Sequence, residues 1–449
     1  MDRKKFWSNK PIDRESGAPF RLNDLMSQKR FETILQNISY TNKDPPAYKD
    51  RFWEVREMIE EWNRNMNNNF VPSWVSCLDE SMSIWFNKWT CPGWMFVPRK
   101  PHPFGNEYHS VCCGETSIMW GIEIVEGKDS PPQRPRDPNE TAVGKTAALL
   151  LRMLKPIFGT AKVVILDSGF CVLKALLKLR ENGVFASAVI KKRRYWPAMV
   201  PGKAIDEHCA GMEVGGTDAL KGEQDGIKYD IFCMKEPMYT MKLMSTYAGL
   251  VDPQSTYEVN RHYVGINNEE INKAFKLQEP FANHYLYRHV VDDHNNGRHA
   301  LPAIEDTWGT HRWPNRVFAF ILAISEINTW LAFRHFVWKN NDTELVDFRK
   351  KLAFALIRNE YYKEEVEANE RKKRKFQGEH ELVKAPPHCG KYERGKWVNN
   401  CKQEYQNYPC RTPNCKKRIR TCCSCALGVW MCNNCHILHV VDTMKDDCI

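Results

Sequence analysis

The stretch Val163–Leu166 reads VVIL, and the carboxylate of Asp167 follows it directly, ahead of a serine and a glycine. Four consecutive apolar residues bounded by a turn are typical of a strand covered on both faces, as in a parallel sheet between helices. The chain is therefore expected to be an α/β protein. The acid at the strand tip can start a turn through its own side chain, or it can act in a site at the sheet edge.

The patterns around this strand alternate between strand and helix. Strands are expected at 74–85, 108–127 and 184–191, and helices at 20–66, 141–157, 172–183 and 315–338. The segment 128–140 is expected to be a loop, and 192–280 a largely β insertion. The last helix contains charged residues within its apolar run, which favours a buried core helix over a membrane span.

Two further acids resemble Asp167 in setting. Asp79 lies on the first core strand, and Asp292 lies where helical character begins, ahead of the long apolar helix. Carboxylates on the first strand, the fourth strand and a late helix are the arrangement of a ribonuclease H-like fold. Three such carboxylates can hold two divalent metal ions ~3.5–4 Å apart, which clamp the attacking and leaving oxygens of phosphoryl transfer. Magnesium is the expected ion, because hard cations prefer oxygen ligands.

The cysteines are concentrated near the C-terminus, where ten of the 17 lie between Cys389 and Cys448. Their spacing and two nearby histidines provide eight candidate ligands, enough for two tetrahedral zinc sites. The candidates are Cys410, Cys415, Cys422, Cys425, Cys432, Cys435, His436 and His439. Cys423 is an alternative to Cys422 as a zinc ligand. A segment this short buries little core, so bound zinc would contribute much of its folding free energy.

Positive charge is the third feature of this sequence. The formal net charge of +10 suits a polyanionic partner such as nucleic acid. Two basic clusters are candidates for contacts with DNA phosphates, although either could be a solvated surface. The first comprises Lys191, Lys192, Arg193 and Arg194, and the second comprises Arg411, Lys416, Lys417, Arg418 and Arg420.

The sequence also carries information about location. The first ten residues lack the apolar core of a signal peptide, and no apolar run approaches the ~20 residues of a membrane span. We therefore expect an intracellular protein that does not associate with membranes. The basic run RKKRK at 371–375 matches a nuclear import signal, which favours the nucleus.

Several segments occur together in the order typical of the piggyBac transposase family, which the sequence resembles over nearly its whole length. They are FWSNKP, SQKRFETILQNI, LDESM followed by GWMFVPRKPHPFG, VVILDSGF, HYLYRHVVDDHNN followed by THRWP, and the terminal cysteine cluster. The resemblance implies a ribonuclease H-like DDD core with an insertion domain, helical flanking segments and a C-terminal zinc-binding domain. It also implies cut-and-paste transposition at TTAA targets by a homodimer, with the cysteine-rich module as a cross-brace on transposon-end DNA.

Carried over residue by residue, the resemblance makes Asp79, Asp167 and Asp292 the catalytic triad with two magnesium ions, which favours the catalytic role of Asp167. Many relatives have a second acid three residues after the last aspartate. This chain has Asn295 there instead. Asp293 remains an alternative to Asp292, because an alignment slip of one residue would exchange them.

The expected organisation has six parts. They are a helical dimerisation and DNA-binding segment (1–73), the first part of the core (74–191), the insertion domain (192–280), the last core helices (281–345), a charged linker (346–388) and the cysteine-rich zinc domain (389–449). The competing hypotheses are a non-catalytic DNA-binding protein that keeps this fold and a structure-selective nuclease. Relatives generally have a long acidic N-terminal extension, so a truncated gene or a retired element also fits the sequence.

Overall fold

The computed structural model describes two compact units, Met1–Phe354 and Ala355–Ile449. In the first unit it describes residues 6–7, 22, 26–131, 137–191, 202–247, 249–250, 257–265, 267–337 and 343–354. In the second unit it describes 355–357, 381–384, 390–393, 396–399, 408–410, 412, 414–419, 421–423 and 430–443.

A nine-stranded sheet forms the centre of the first unit. Its strands are β1 (Val75–Ile84), β2 (Trp94–Phe96), β3 (Phe104–Cys113), β4 (Met119–Ile124), β5 (Val163–Leu166), β6 (Phe185–Val189), β7 (Thr217–Gln224), β8 (Ile227–Lys235) and β9 (Thr240–Ser245). They are hydrogen-bonded in the order β2-β3-β1-β5-β6-β9-β8-β7, and β4 pairs with β3. Within this sheet β1, β5 and β6 are parallel, whereas β3 and β4 are antiparallel. This is the ribonuclease H-like arrangement, and the predicted fold class is confirmed.

Helices cover both faces of the sheet. They are α1 (Gln28–Asn37), α2 (Trp53–Asn69), α3 (Pro138–Val143), α4 (Lys145–Leu154), α5 (Leu173–Glu181), α6 (Gly202–Ala210), α7 (Glu279–Tyr287), α8 (Val290–His299), α9 (Ile304–Thr307), α10 (Trp313–Ala332) and α11 (Leu345–Ile357). On one face α4 and α5 pack against Leu78 and Leu166, and on the other α2, α8 and α10 pack against Cys77 and Tyr108. The alternating side chains of β1 thus serve two separate cores.

Two of the expected helices have different limits in the structure. The helix expected over 20–66 is wrong in extent, because residues 38–52 between α1 and α2 are not helical. This segment contains Pro45 and Pro46, and a proline disfavours helical backbone at the residue before it. The helix expected over 141–157 is divided at Gly144, where φ is +88°. The expected loop 128–140 also includes the start of α3, capped by Asp137.

The segment predicted as an insertion is largely β, but its first strands are not a separate sheet. Strand β9 pairs with β6, with Ser187 opposite Ser245, so β9, β8 and β7 extend the central sheet. Only β10 (Glu258–Val264) and β11 (Glu270–Lys276) form an independent hairpin among the described parts of this segment. The predicted boundary at residue 191 therefore falls within one continuous sheet.

The start of the predicted linker is part of the folded core. Helix α11 covers Leu345–Ile357, and the guanidinium of Arg349 donates a hydrogen bond of 2.9 Å to Glu326 on α10. Both residues are buried. The many charged residues after this helix predicted a linker, but a buried ion pair attaches the helix to the core.

Helix α10 and the π-helical turn that follows it form the long apolar segment. Together they span Trp313–Val337 and are long and apolar enough to cross a membrane by length and composition alone. However, 56% of the most apolar part is buried inside the protein. The helix packs against α2, β3 and β4, which is the position of a core helix.

A buried ion pair attaches α8 to the sheet. Arg298 and Glu305 are both fully buried, and the guanidinium of Arg298 donates to the carboxylate of Glu305. The same guanidinium donates to the carbonyl oxygen of Met82 on β1, at 2.7 Å. The hydroxyl of Ser83 donates to Glu305, at 2.6 Å. These bonds hold α8 and α9 in a defined position against β1.

Replacing Glu305 by alanine is expected to lower the free energy of unfolding by about 3–5 kcal/mol, because Arg298 would remain buried without its countercharge. Chemical denaturation of the full chain measures this effect. The matched control is Glu181→Ala, which removes an ion pair with Lys178 whose two side chains are each 37% exposed. The control should cost less than about 1 kcal/mol. Similar small losses for both variants would contradict the anchoring role of Glu305.

The second unit contains short elements in its described parts. They are β12 (Leu382–Lys384), β13 (Gly390–Glu393), β14 (Lys396–Asn399), β15 (Tyr408–Pro409), β16 (Arg418–Ile419), β17 (Thr421–Cys423) and α12 (Asn433–Thr443). The strands pair as β12 with β17, β13 with β14, and β15 with β16. Two-stranded pairs of this length have little stability alone, so this unit needs other cross-links.

Candidate active site and metal centre

The first two predicted catalytic acids lie side by side in the central sheet. Leu78 of β1 pairs with Leu166 of β5 in parallel register, so Asp79 and Asp167 are the next residues along these neighbouring strands. Paired residues of adjacent strands face the same side of a sheet. The two carboxylates therefore share the face that carries Cys77, which is the face covered by α8 and α10.

The third acid reaches the same place from α8. Asp292 lies in the first turn of this helix, and the Cys77 thiol of β1 donates a hydrogen bond of 3.6 Å to the carbonyl oxygen of Arg288 just before it. Burial raises the pKa of the Cys77 thiol well above its usual value, and the carboxylates of Asp79, Asp292 and Asp167 raise it further. All three predicted acids thus lie close enough to act electrostatically on the same buried thiol.

Negative charge is concentrated at this place. Burial raises the pKa of Asp79 to about 7, and the charges of Glu80 and Asp292 act in the same direction against the opposing effect of Lys100. A carboxylate with a raised pKa is one whose ionised form lacks compensating positive charge. A bound divalent cation would supply that charge, so the donor set fits magnesium.

Two lysines approach the acids. The ammonium of Lys100, in the loop between β2 and β3, lies 3.9 Å from Asp292 and donates to the carbonyl oxygen of Glu80 at 3.2 Å. The ammonium of Lys191 lies 4.0 Å from Asp167. Lys191 was predicted to bind DNA, and its position beside the acids suits a phosphate close to the reacting bond. The sequence analysis did not predict a role for Lys100. The only feature that marks it in the sequence is the pair of basic residues that it forms with Arg99 between two prolines.

The structure distinguishes the two neighbouring aspartates of α8. Asp292 lies near Lys100 and acts electrostatically on Asp79, whereas Asp293 is exposed. Asn295 lies one turn beyond Asp292 and accepts a long hydrogen bond of 3.4 Å from the buried Arg298. The geometry therefore favours Asp292 over Asp293. The assignment of all three acids as metal ligands remains a prediction.

Four of the predicted zinc ligands lie together in the second unit. The sulfur atoms of Cys410, Cys415, Cys432 and Cys435 all lie within 4.8 Å of one another, and those of Cys415 and Cys432 are 3.8 Å apart. Sulfurs placed ~2.3 Å from a tetrahedral zinc ion are separated by about 3.8 Å. Burial opposes ionisation of Cys410, yet hydrogen bonds from the backbone of Thr412 and Cys432 lower its pKa to about 6. The cluster therefore fits zinc in both geometry and ligand chemistry.

Among the described residues, the other predicted zinc ligands are outside this cluster. Cys422 and Cys423 are buried on β17, where consecutive side chains face opposite sides. His436 is on α12, directly after Cys435. Cys425 and the side chain of His439 lie outside the described residues. The observed cluster thus combines Cys410 and Cys415 with Cys432 and Cys435. A second site built from the remaining ligands stays a prediction.

The predicted DNA-binding residues are described only in part. Lys416, Lys417 and Arg418 are exposed on the segment that follows Cys415. The remaining members of the two basic clusters, and the basic run at 371–375, lie outside the described residues: Lys192, Arg193, Arg194, Arg411 and Arg420. The exposed three are placed for contact with a polyanion.

Replacing Cys410 or Cys435 by serine is expected to remove about one equivalent of zinc from the full-length protein, because three thiolates hold a structural zinc ion poorly. Elemental analysis of the purified protein measures the loss. Limited proteolysis should show faster cleavage of residues 381–443 in both variants. The control is Cys171→Ala, a buried cysteine of the first unit, which should keep the full zinc content. Unchanged zinc in Cys410→Ser and Cys435→Ser would exclude this cluster as a metal site.

Comparisons with known proteins identify the family and the fold of the chain. The family model described as Transposase IS4 matches residues 1–330, a range that contains all three predicted catalytic acids. Among solved structures, the chain is similar to the piggyBac transposase in a cryo-EM structure of its synaptic complex with hairpin DNA. The TM-score is 0.56 and the sequence identity 15%, over 92% of this chain and 80% of that chain. At this identity the likeness establishes the fold.

Proposed function

Because this chain belongs to the IS4 transposase family and has the fold of a piggyBac transposase, we propose that it is a DDD transposase that cuts and joins DNA at TTAA sites. The observation that carries the proposal is the placement of three acids at one edge of the sheet: Asp79 and Asp167 follow the paired residues Leu78 and Leu166, and Lys100 lies beside both Asp292 and the strand residue after Asp79. A fold without such a site would serve a DNA-binding protein equally well, so the acids distinguish the enzyme from its alternative.

The proposed chemistry is phosphoryl transfer in four steps. Asp79, Asp167 and Asp292 would hold two magnesium ions, which stabilise the attacking and leaving oxygens. Water first attacks a phosphodiester at the transposon end, and cleavage of the P–O bond releases a 3′-hydroxyl. That hydroxyl then attacks a phosphodiester of the opposite strand, which closes the transposon end into a hairpin and releases the 3′-oxygen of the flanking DNA. Water then opens the hairpin and restores a transposon 3′-hydroxyl, which attacks a target phosphodiester and displaces a target 3′-oxygen. Lys100 and Lys191 are placed to neutralise phosphate oxygens beside the acids.

The second unit would bind the transposon ends. Its cysteine cluster fits structural zinc, and Lys416, Lys417 and Arg418 present positive charge nearby. Contacts of this kind give affinity that falls steeply with salt, because each neutralised phosphate releases counterions. A second zinc ion, held by the remaining cysteines and histidines, is part of the proposal.

Asp167→Asn and Asp292→Asn are expected to lower magnesium-dependent nicking of a labelled transposon-end duplex by more than about 1,000-fold, because each removes a metal ligand from a site that acts as a unit. Binding of the duplex and the unfolding midpoint should change little. The matched control is Asp293→Asn, the exposed neighbour, which should keep nearly full activity.

The outcomes separate the competing functions. Normal nicking by Asp167→Asn would exclude the triad. Loss of nicking in Asp293→Asn, with activity kept in Asp292→Asn, would move the third ligand by one residue. A wild-type chain that binds the ends without nicking them would favour the non-catalytic DNA-binding protein.

Two further proposals concern assembly and location. Both transposon ends must meet before excision, so we expect a two-fold homodimer that binds two end duplexes. Light scattering of the end complex measures its mass, and one chain on one duplex would exclude this assembly.

Nuclear import through residues 371–375 is proposed from their sequence, and alanine replacement of this run should leave a fluorescent fusion protein outside the nucleus.

A further inference from the structure

Four aromatic rings form an exposed surface just beyond the C-terminal end of β1. We call Phe86, Trp89, Phe96 and Phe104 the aromatic platform. Phe86 and Trp89 are each 80% exposed, and Phe96 is 52% exposed. Large apolar rings grouped in water mark an interaction surface more often than rings that are scattered singly.

Three rings of the platform are in contact. Phe104 lies at the centre, with its ring stacked on Phe96 at a centroid distance of 5.0 Å and beside Phe86 at 6.3 Å. The half-buried Trp94 stacks on the same ring at 6.2 Å. Phe96 and Phe104 thus lie on the β2–β3 pair, whereas Phe86 and Trp89 lie in the turn segment that follows β1.

The turn that carries Trp89 is held by hydrogen bonds. The carboxamide of Asn87 accepts from the backbone N–H of Trp89 at 3.0 Å, and the indole of Trp85 donates to the hydroxyl of Thr90 at 3.0 Å. Arg51 donates to the carbonyl oxygen of Trp89 at 3.3 Å. The backbone is thus ordered while the ring faces solvent, so a ligand would order little more of the chain on binding.

Positive charge accompanies the rings. The ammonium of Lys88 lies 4.7 Å from the centroid of the Trp89 ring, and Arg99 and Lys100 follow Phe96 closely in the chain. A ligand that matches this surface combines flat apolar faces with negative charge. Unpaired nucleotides have this chemistry, because their bases stack on aromatic rings and their phosphates pair with cations. A protein partner of mostly apolar character would not require these cations.

The platform is continuous with the acidic site. The loop that follows Phe96 returns to the site, where Arg99 donates to the Glu80 carboxylate at 3.2 Å and Lys100 approaches Asp292. Only three residues lie between Phe96 and Lys100, so their Cα atoms are at most about 14 Å apart. A DNA strand whose phosphate lies at the acids can therefore reach the platform with bases a few nucleotides away.

We propose that the aromatic platform stacks unpaired bases of the DNA strand that is processed at the acidic site. This inference rests on the proposed function, and it specifies the form of DNA that the site takes. Bases inside a duplex are already stacked on each other, so the platform distinguishes an opened end from an intact one. It would hold the end open while the strand is cut and joined.

The test compares two DNA probes on the full-length protein in the absence of divalent metal. One is a transposon-end duplex with a short single-stranded extension that contains 2-aminopurine, and the other is the same duplex with a blunt end. Trp89→Ala and Phe86→Ala should each weaken binding of the extended probe by about tenfold, abolish most of the 2-aminopurine quenching, and leave the blunt probe nearly unchanged. Trp89→Phe should retain most of both effects, because a ring remains.

Salt and a control variant separate stacking from charge. The loss in Trp89→Ala should stay constant as salt rises, whereas Lys88→Ala should reduce the salt dependence itself. The matched control is Phe336→Ala on the turn after α10, where the ring is 60% exposed but far from the loop to Lys100 in sequence. It should bind both probes normally.

Three results would overturn the proposal. Equal losses on both probes would indicate contact with duplex DNA, and unchanged quenching would exclude stacking. A change in the mass of the assembly, with DNA binding unchanged, would identify the platform as a protein interface. The assay needs no cleavage, so its outcome does not depend on the activity of the acidic site. A failed cleavage assay would therefore test the proposed function without deciding the role of the platform.

Discussion

The buried pair of Arg298 and Glu305 is the interaction on which the geometry of the candidate site depends. A guanidinium and a carboxylate without solvent exposure cost much desolvation energy, which good geometry and additional hydrogen bonds must offset. Here Ser83 and the carbonyl oxygen of Met82 on β1 provide those bonds. The result is a helix whose first turn, with Asp292, has a fixed position over β1. An apolar contact would allow the helix to slide, whereas directional bonds define its register.

Several acidic side chains lie close together in the candidate site, and their charges affect the pKa values and the positions of neighbouring side chains. The pKa of Asp79 is raised because burial and the acids beside it disfavour another negative charge. Lys100 and Lys191 approach the carboxylates from two different loops. Such a site is unfavourable for the protein alone and favourable for a protein with bound cations and phosphates. That balance is typical of functional sites, where perturbed pKa values cluster.

The cysteine cluster offers the second unit a different kind of cross-link. Its described strands contain two to four residues each, too few to stabilise a sheet. Cys410 and Cys415 precede the strand that contains Cys422, yet their cluster partners, Cys432 and Cys435, come after it. Metal coordination across this interval would enclose the strand and would replace the core that so short a segment cannot build.

The sequence by itself determined the elements and the chemistry of the ligands, because both depend on neighbouring residues. The apolar run Val163–Leu166, the stop at Gly183, the acids at strand and helix ends and the cysteine spacings are all local patterns, and the corresponding elements are present. Only the tertiary structure decided which distant residues meet. Examples are the pairing of Ser187 with Ser245, the approach of Lys100 to Asp292, the ion pair of Arg349 with Glu326, and the meeting of Cys410 and Cys415 with Cys432 and Cys435. Such contacts depend on how whole layers pack and on which buried charges find partners, and no local periodicity encodes that.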